Sequence, residues 1–446
     1  MKQNIIFACS HCGAQFQKWT GRCLECGKWG TVEKTAAPIE KNSANSTTHT
    51  AVKTFKLQEI SQENFKRQKT NIHELDRVLG GGLVNGSLVL IGGEPGIGKS
   101  TLALQLATLL KNTIYFSGEE SINQIKLRAS RMKIGATDLR LASETNVETI
   151  ISTALAEKIN LAIIDSIQTI YSDEIEGEAG NLSQVRACTV KLMEAAKKNN
   201  FTFIIIGQVT KDGAVAGPKT LEHLVDTVLY LEGDKFHDFR ILRAAKNRFG
   251  PTDEVGIFAM EETGLVEVSN PSAAFLSERA EPVPGTAIAC LMEGSRPMLV
   301  EIQALVTKTN FGYPQRRASG FDLNRLQVLI GVLSKRANLP LESYDVFLNV
   351  VGGLSADEPA ADMAVILALA SGIKNKTLPK NLATFGEVGL GGEVRSVNHS
   401  DKRLHEIKNL GFEYAVIPHS NKIPKISDLK IAPIKNVQEV VEKIIQ

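Results

Sequence analysis

One stretch limits what this chain can fold into more than any other: SLVLIGGEPGIGKSTLALQLATLL, residues 87–110. It reads as a short apolar strand, a glycine-rich loop and a helix, and residues 93–100 carry the spacing G-x4-G-K-S. Glycines let successive backbone N–H groups turn inward around a phosphate, and the helix amino terminus adds positive potential. Lys99 can reach the β- and γ-phosphates, and the Ser100 hydroxyl can ligate magnesium. Gly93, Glu94, Pro95, Gly96, Ile97, Gly98, Lys99, Ser100 and Thr101 are therefore the expected nucleotide cradle.

Its partners are expected at the carboxyl ends of later apolar strands, where open parallel sheets bind ligands. LAIIDS (161–166) ends in Asp165, placed to hold Mg2+ through water. TIYFSGEES (113–121) ends in Glu119 and Glu120, and FTFIIIGQVTKDG (201–213) leads to Gln208. A carboxylate in such a place can orient and deprotonate an attacking water. A lone Glu119 would as readily be a solvated loop residue, and it is the ordered set that gives it weight. RILRAAKNRFG (240–250) strings Arg243, Lys246 and Arg248 along a strand and its turn. These are either a solvated basic edge or cations offered to a neighbouring subunit's nucleotide.

A chain of 446 residues is too long for one core and suits two domains plus an extension. With 43% hydrophobic and 22% charged residues it reads as a soluble globular protein. The net charge of +2 neither demands nor excludes nucleic acid, so any basic surface must be local. No apolar run approaches the roughly 18–20 residues of a membrane span. The start, MKQNIIFACS, is too short in its apolar part for a secretory signal. The expected location is cytoplasmic, with no membrane partner.

Six cysteines in a reducing compartment point to metal ligation or plain core positions. Cys9, Cys12, Cys23 and Cys26 form C-x2-C-x10-C-x2-C, each pair followed by a glycine. Two such knuckles complete a tetrahedral sulfur shell, and structural zinc offsets the deficit of a module too small to bury its own core. Iron in a rubredoxin-like site and redox-active pairs are the alternatives. His11 reads as a surface residue, Trp19 and Trp29 as caps over the small core, and Cys188 and Cys290 as core. Residues 31–55 lack apolar periodicity and read as a flexible linker.

Taken in order, the glycine-rich loop, SGEES, IID, GQVTKDG and KNRFG make the chain similar to the bacterial RadA (Sms) family of DNA repair ATPases. The core of that family belongs to the RecA/DnaB group. The similarity covers nearly the whole chain, and KNRFG (246–250) is its most specific piece. The resemblance implies an α/β fold: a RecA-like P-loop ATPase core with an N-terminal zinc ribbon-like module and a C-terminal α+β Lon-protease-like domain. It implies ATP, Mg2+ and Zn2+ as ligands, a homo-oligomeric ring, a hexamer by family expectation, and single-stranded and branched DNA with a recombinase as partners. Glu119 takes the catalytic-base position and Gln208 the γ-phosphate sensor position. Lys246 and Arg248 would reach the neighbouring subunit's ATP, and they also count among the candidate DNA contacts. The loop TKDGAVAGPKTLEH (210–223) would face the ring centre and touch DNA through Lys211 and Lys219. The expected division is a C4 module over 1–30, a linker over 31–56, the ATPase over 57–270 and the Lon-like domain over 271–446.

In that last domain GGLSADEPAADMAVILALASG (352–372) reads as a helix opening at Pro359, with Asp357 and Glu358 at its positive end and Gly372 as its stop. Lon carries its serine at this opening, within a GPSAG-like string. Here the string is EPAAD, and Ala360 falls on the serine position. Counted from Gly386, the catalytic lysine position falls on Asp401. Ser355 lies upstream, and Lys402 is one residue off, about 100° around a helix. Peptide hydrolysis needs a nucleophile held against its base, so the domain is expected to be an inactive frame. TKTNFGYPQRRASGFDLNR (307–325) interleaves Lys308, Arg316, Arg317 and Arg325 with Phe311 and Tyr313. It is either a loop with ordinary charges or a surface for single-stranded DNA.

The leading expectation is a DNA-stimulated ring ATPase that translocates on single-stranded DNA and drives branch migration in recombinational repair. A nucleotide-switched scaffold acting on proteins is the alternative. An ATP-dependent serine protease is opposed by Ala360 and Asp401.

Overall fold

The computed structural model describes residues 5–12, 14–16, 18–36, 56, 67–135, 137–208, 218–233, 239–276, 281–309, 312–352, 355–420 and 426–445. At the amino terminus β1 (Ile5–Cys9), β2 (Gln15–Phe16) and β3 (Val32–Ala36) form an antiparallel sheet in the order β2-β1-β3. Cys9, Cys23 and Val32 are its buried centre. The expected boundary at residue 30 is corrected here. β3 pairs with β1 from Ile5 opposite Ala36 to Cys9 opposite Val32, so residues 32–36 complete the module's sheet. The expectation that the tryptophans cap this core also fails. Trp19 is 62% and Trp29 76% exposed, because the sulfur cluster and Val32 already fill the centre.

The middle of the chain contains β4 (Arg67–Gln68), α1 (His73–Leu79), β5 (Leu83–Val84), β6 (Leu88–Gly92), α2 (Lys99–Leu109), β7 (Thr113–Ser117), α3 (Ile122–Arg131), β8 (Arg140–Ser143), α4 (Val147–Ala156), β9 (Leu161–Asp165), α5 (Leu182–Asn199) and β10 (Thr202–Ile206). It ends in β11 (Thr227–Glu232), β12 (Phe239–Asn247), β13 (Val255–Glu261) and β14 (Gly264–Glu267). A nine-stranded sheet runs β14-β13-β12-β11-β6-β10-β9-β7-β8. From β11 to β8 neighbouring strands are parallel, and β12 to β14 add an antiparallel edge. The central strands β6, β7, β9 and β10 are buried along their whole length, as expected for parallel strands covered on both faces. Cys188 is fully buried in one of the two apolar layers that sandwich the sheet.

After α6 (Pro271–Leu276) come β15 (Thr286–Glu293), β16 (Arg296–Lys308), β17 (Arg316–Ser319), α7 (Leu323–Arg336), β18 (Tyr344–Val350), α8 (Asp362–Lys374), β19 (Leu382–Thr384), β20 (Glu387–Val388), β21 (Val394–Arg395), α9 (Ser400–Asn409), β22 (Tyr414–Pro418), β23 (Lys430–Ile434) and α10 (Val437–Lys443). Their main sheet runs β17-β18-β16-β15-β19-β22-β23 and mixes parallel with antiparallel pairs. A short 3-10 turn at Pro359–Ala361 opens α8. The helix does not stop at Gly372 as expected. It runs on to Lys374 and ends on left-handed Asn375. Gly372 instead permits close packing: a Cβ there would lie 3.1 Å from Val306 Cγ2 and 3.4 Å from the Ala304 carbonyl.

The two large sheets are not merely tethered. Ile241, Val255 and Ile257 of the nine-stranded sheet share one apolar cluster with Met298, Val300 and Leu329 of the C-terminal domain. Arg296 donates to buried Glu74 of α1, and Arg243 pairs with Glu293. Among the described residues no helix is long and apolar enough to cross a membrane.

Candidate functional site

The loop between β6 and α2 gathers the nucleotide cradle at the carboxyl end of the central strand. Gly93 and Gly98 have φ of +153° and +118°, and a Cβ on Gly93 would come within 2.5 Å of the Leu231 carbonyl. Only glycine fits this turn. Ile97 anchors the loop in the core, and Ser100 and Thr101 stand in the first turn of α2. Lys99 is buried, its Nζ donating to the carbonyls of Gly93 at 2.9 Å and Glu94 at 2.8 Å. Burial pushes its pKa down, while Asp165 and Glu119 pull it back up. Those carboxylates are thus close enough to share one field with the lysine.

Asp165 ends β9, buried, and accepts a hydrogen bond from the Tyr115 hydroxyl. Burial raises the tyrosine's pKa, and the Asp165 charge adds to it; the phenol therefore stays a donor. Glu119 stands just beyond β7. It accepts from the Ser166 hydroxyl and from Gln208 Nε2, which lies 3.0 and 3.2 Å from its two oxygens. Gly118 lets Thr169 pack against the chain there, since a Cβ would sit 2.0 Å from Thr169 Oγ1. Ser121 then caps α3 through a capping box with Gln124. The neighbouring Glu120 points elsewhere and pairs with Arg128. Lys99, Asp165, Glu119 and Gln208 are thus brought to one end of the sheet. Ser100, in the first turn of α2, and Asp165, at the end of β9, both offer oxygen, the donor that suits a hard cation such as Mg2+.

Lys246 and Arg248 are not in this group. β11 runs parallel to β6, with Thr227 opposite Val89 and Tyr230 opposite Gly92. β12 returns antiparallel and puts Lys246 opposite Val228. Both cations therefore lie at the amino end of the parallel strands, about 15–20 Å from their own cradle. Lys246 Nζ donates to the carbonyls of Glu222 and Val225 at 2.7 and 2.8 Å. Arg248 donates to Asp226 at 3.1 Å. Arg243 is taken up by Glu232 and Glu293.

Of the expected DNA contacts, Lys211 lies outside the described residues and Lys219 is exposed in a short turn at Pro218–Thr220. Residues 316–319 form edge strand β17 rather than a loop. Arg317 is exposed there. Arg316 is not a free cation: its guanidinium donates to the carbonyls of Leu341, Tyr344 and Gln315, and burial lowers its pKa. Tyr313 is 89% exposed; Phe311 falls outside the described residues.

The four module cysteines have their sulfurs within 4.8 Å of one another. Cys9 and Cys26 are 3.8 Å apart, and Cys12 and Cys23 3.5 Å. A tetrahedral zinc–sulfur shell has edges of about 3.8 Å, so the set fits one metal ion. His11 is exposed.

In the C-terminal domain Ala360 is buried against Cys290, Leu299 and Phe385, while Asp401 and Lys402 are exposed on α9. Ser355 is exposed upstream. These positions do not form a nucleophile–base pair.

Three sequence families match: an AAA domain over residues 52–214, a rubredoxin metal binding domain over 7–34, and the Lon protease (S16) C-terminal proteolytic domain over 335–446. The DNA repair protein RadA of Listeria monocytogenes is 46% identical, over 99% of this chain and 98% of its own. That of Aquifex aeolicus is 45% identical over 99% of both chains, and that of Bacillus subtilis 46% identical over 98% of both. The chain belongs to the RadA family of DNA repair proteins. It is a DNA repair ATPase with an N-terminal zinc ribbon and a C-terminal Lon-type domain. In this RadA-family chain, sequence reasoning missed Tyr115, Ser166 and Arg240, which donates to the Ile97 carbonyl from below the loop. Tyr115 had a signal: a hydroxyl-tipped aromatic on the strand beside that of Asp165. Nothing local distinguished Ser166 or Arg240.

Proposed function

We propose that this protein is a ring-forming, DNA-stimulated ATPase that moves along single-stranded DNA and drives branch migration during recombinational repair in the cytoplasm. The single observation that carries it is the pair of hydrogen bonds from Gln208 to Glu119. Gln208 is the last described residue before the loop that bears Lys211 and Lys219. One side chain therefore connects the hydrolysis site to the candidate DNA loop.

In this reading Lys99 leaves its two loop carbonyls to neutralise the β- and γ-phosphates. Ser100 and Asp165 would hold Mg2+, which would supply further charge neutralisation there. Glu119 takes a proton from the attacking water, and Ser166 and Gln208 hold the carboxylate in line until a γ-phosphate draws the amide away. Lys246 and Arg248, too distant for their own nucleotide, serve the next subunit's, which supports a closed ring, expected to be a hexamer. Zinc fills the four-cysteine site. Among the described candidates, exposed Lys219 and Arg317 are available for phosphate contact. The Lon-type domain hydrolyses no peptide.

The test is ATP turnover with and without single-stranded DNA, paired with strand exchange on a three-stranded junction. Turnover indifferent to DNA would favour the nucleotide-switched scaffold. Stimulated turnover without junction movement would leave a DNA-dependent ATPase that is not a branch-migration motor.

A further inference from the structure

The chain has two tryptophans. Both lie on the small metal module, and both face solvent. A module this poor in apolar residues would gain most by burying them, yet it packs on Cys9, Cys23 and Val32 instead. Both indoles lie beside Gly21, whose missing Cβ would be 3.6 Å from Trp19 Cη2 and 3.8 Å from Trp29 Cζ3. Trp19 is fixed in place, its Nε1 donating to the Val32 carbonyl at 3.0 Å. The backbone of Trp29 is held by a bridge to Arg22. Each tryptophan follows a lysine, Lys18 and Lys28, and Arg22 is exposed between them. The described acids of the module are Glu25 and Glu33.

We propose that this paired indole surface is a stacking platform for two neighbouring bases of single-stranded DNA, with Lys18, Arg22 and Lys28 tracking the phosphates. Rigid exposed aromatics flanked by cations are what sequence-tolerant single-strand binding requires, because every base has a π-face. A lipid surface would need a continuous apolar face, and the intervening cations break it. The platform rests on the reading that this protein acts on single-stranded DNA, and it adds a site separate from the ATPase loop.

The location makes the test direct, because tryptophan emission reports on this module alone. Metal-loaded full-length protein is titrated with single-stranded oligothymidylate. Tryptophan emission and the anisotropy of a labelled oligonucleotide are followed together. Emission is expected to fall in step with binding. Trp19→Ala and Trp29→Ala should each weaken binding about fivefold or more, with metal content and DNA-free ATP turnover unchanged; Trp→Phe at either position should restore part of the affinity. Binding by anisotropy with unchanged emission and unchanged affinity of the variants would overturn the platform while leaving the DNA-stimulated ATPase intact. Emission that ignores DNA but shifts on adding a purified recombinase would assign the surface to a protein and equally overturn it.

Discussion

Arg403 of α9 grips Glu358 through two hydrogen bonds, 2.7 and 2.8 Å, immediately before the helix opening where Lon carries its serine. The arginine is almost wholly buried. It also donates to the carbonyls of Cys290 and Asn398 and lies over the Phe385 ring at 5.6 Å. The Glu358 carboxylate in turn accepts from the Met292 amide. The approach to the helix opening is thus tied to α9 and β15 by charge-assisted hydrogen bonds. Removing the arginine vacates a buried site and leaves half-buried Glu358 with only the Met292 amide as donor, at a cost of up to about 3–5 kcal/mol. Arg403→Ala should lower the midpoint of chemical unfolding of the C-terminal domain accordingly. A variant that unfolds like the native protein would show the pair to be dispensable.

Restoring the dyad by sequence alone should fail. Ala360→Ser with Asp401→Lys would place a hydroxyl in the apolar layer beside Leu299 and Phe385, and an ammonium on the exposed face of α9. Nothing would bring the two within hydrogen-bond reach, which nucleophilic catalysis requires. Hydrolysis of a fluorogenic peptide or of casein should stay at background. Turnover above background would mean that the frame is still competent.

Much of the site was legible because spacing encodes backbone geometry. The glycine-rich loop, the strand-end Asp165 and Gln208 and the paired cysteines all depend on where the chain turns, which local sequence dictates. Partners supplied by tertiary structure were not legible. The charge of Arg316 suggested phosphate, but three backbone carbonyls claim it. Gly372 looked like a helix stop because its other use, closeness to β16, needs a strand distant in sequence. Trp19 and Trp29 suggested a core because apolar mass usually goes inward, and sulfur ligands had already taken the space.

Glu119 and Glu120 are adjacent, and only their partners separate them. Glu119 is held by Ser166 and Gln208 beside the cradle, whereas Glu120 is neutralised by Arg128. Glu119→Gln should lower ATP turnover by about 10²–10⁴ with nucleotide still bound. Glu120→Gln should leave most turnover and loosen α3 slightly. Lys99→Ala should abolish turnover with an unchanged melting profile. If Glu120→Gln alone stalls hydrolysis, the base is misplaced by one residue.

Arg248 stands at the far end of the sheet from its own cradle, beside Asp226. If it serves the next subunit, Arg248→Ala should be nearly as inactive as Lys99→Ala, since such cations can be worth about 10³–10⁵ in rate. Mixing the two variants should recover part of the activity, because a hybrid interface pairs an intact cradle with an intact arginine. Activity of the mixture no greater than the sum of its parts would count against action between subunits.

The shared apolar cluster argues that the ATPase does not stand alone. Ile241, Val255 and Ile257 are 9%, 2% and 0% exposed in the whole chain, covered by the C-terminal domain's Met298 and Val300. Cutting the chain after residue 270 would uncover them. It would also strand Glu74, buried beneath Arg296. Each apolar side chain returned to water costs about 1.5–3 kcal/mol, so the three together rival a sizeable part of the roughly 5–15 kcal/mol typical of a domain. A fragment ending at residue 270 should therefore aggregate or melt well below the full chain. A truncated protein lacking only the metal module should keep the full-length melting transition. Monodisperse, fully active ATPase from the fragment that ends at residue 270 would show that the C-terminal domain does not brace it.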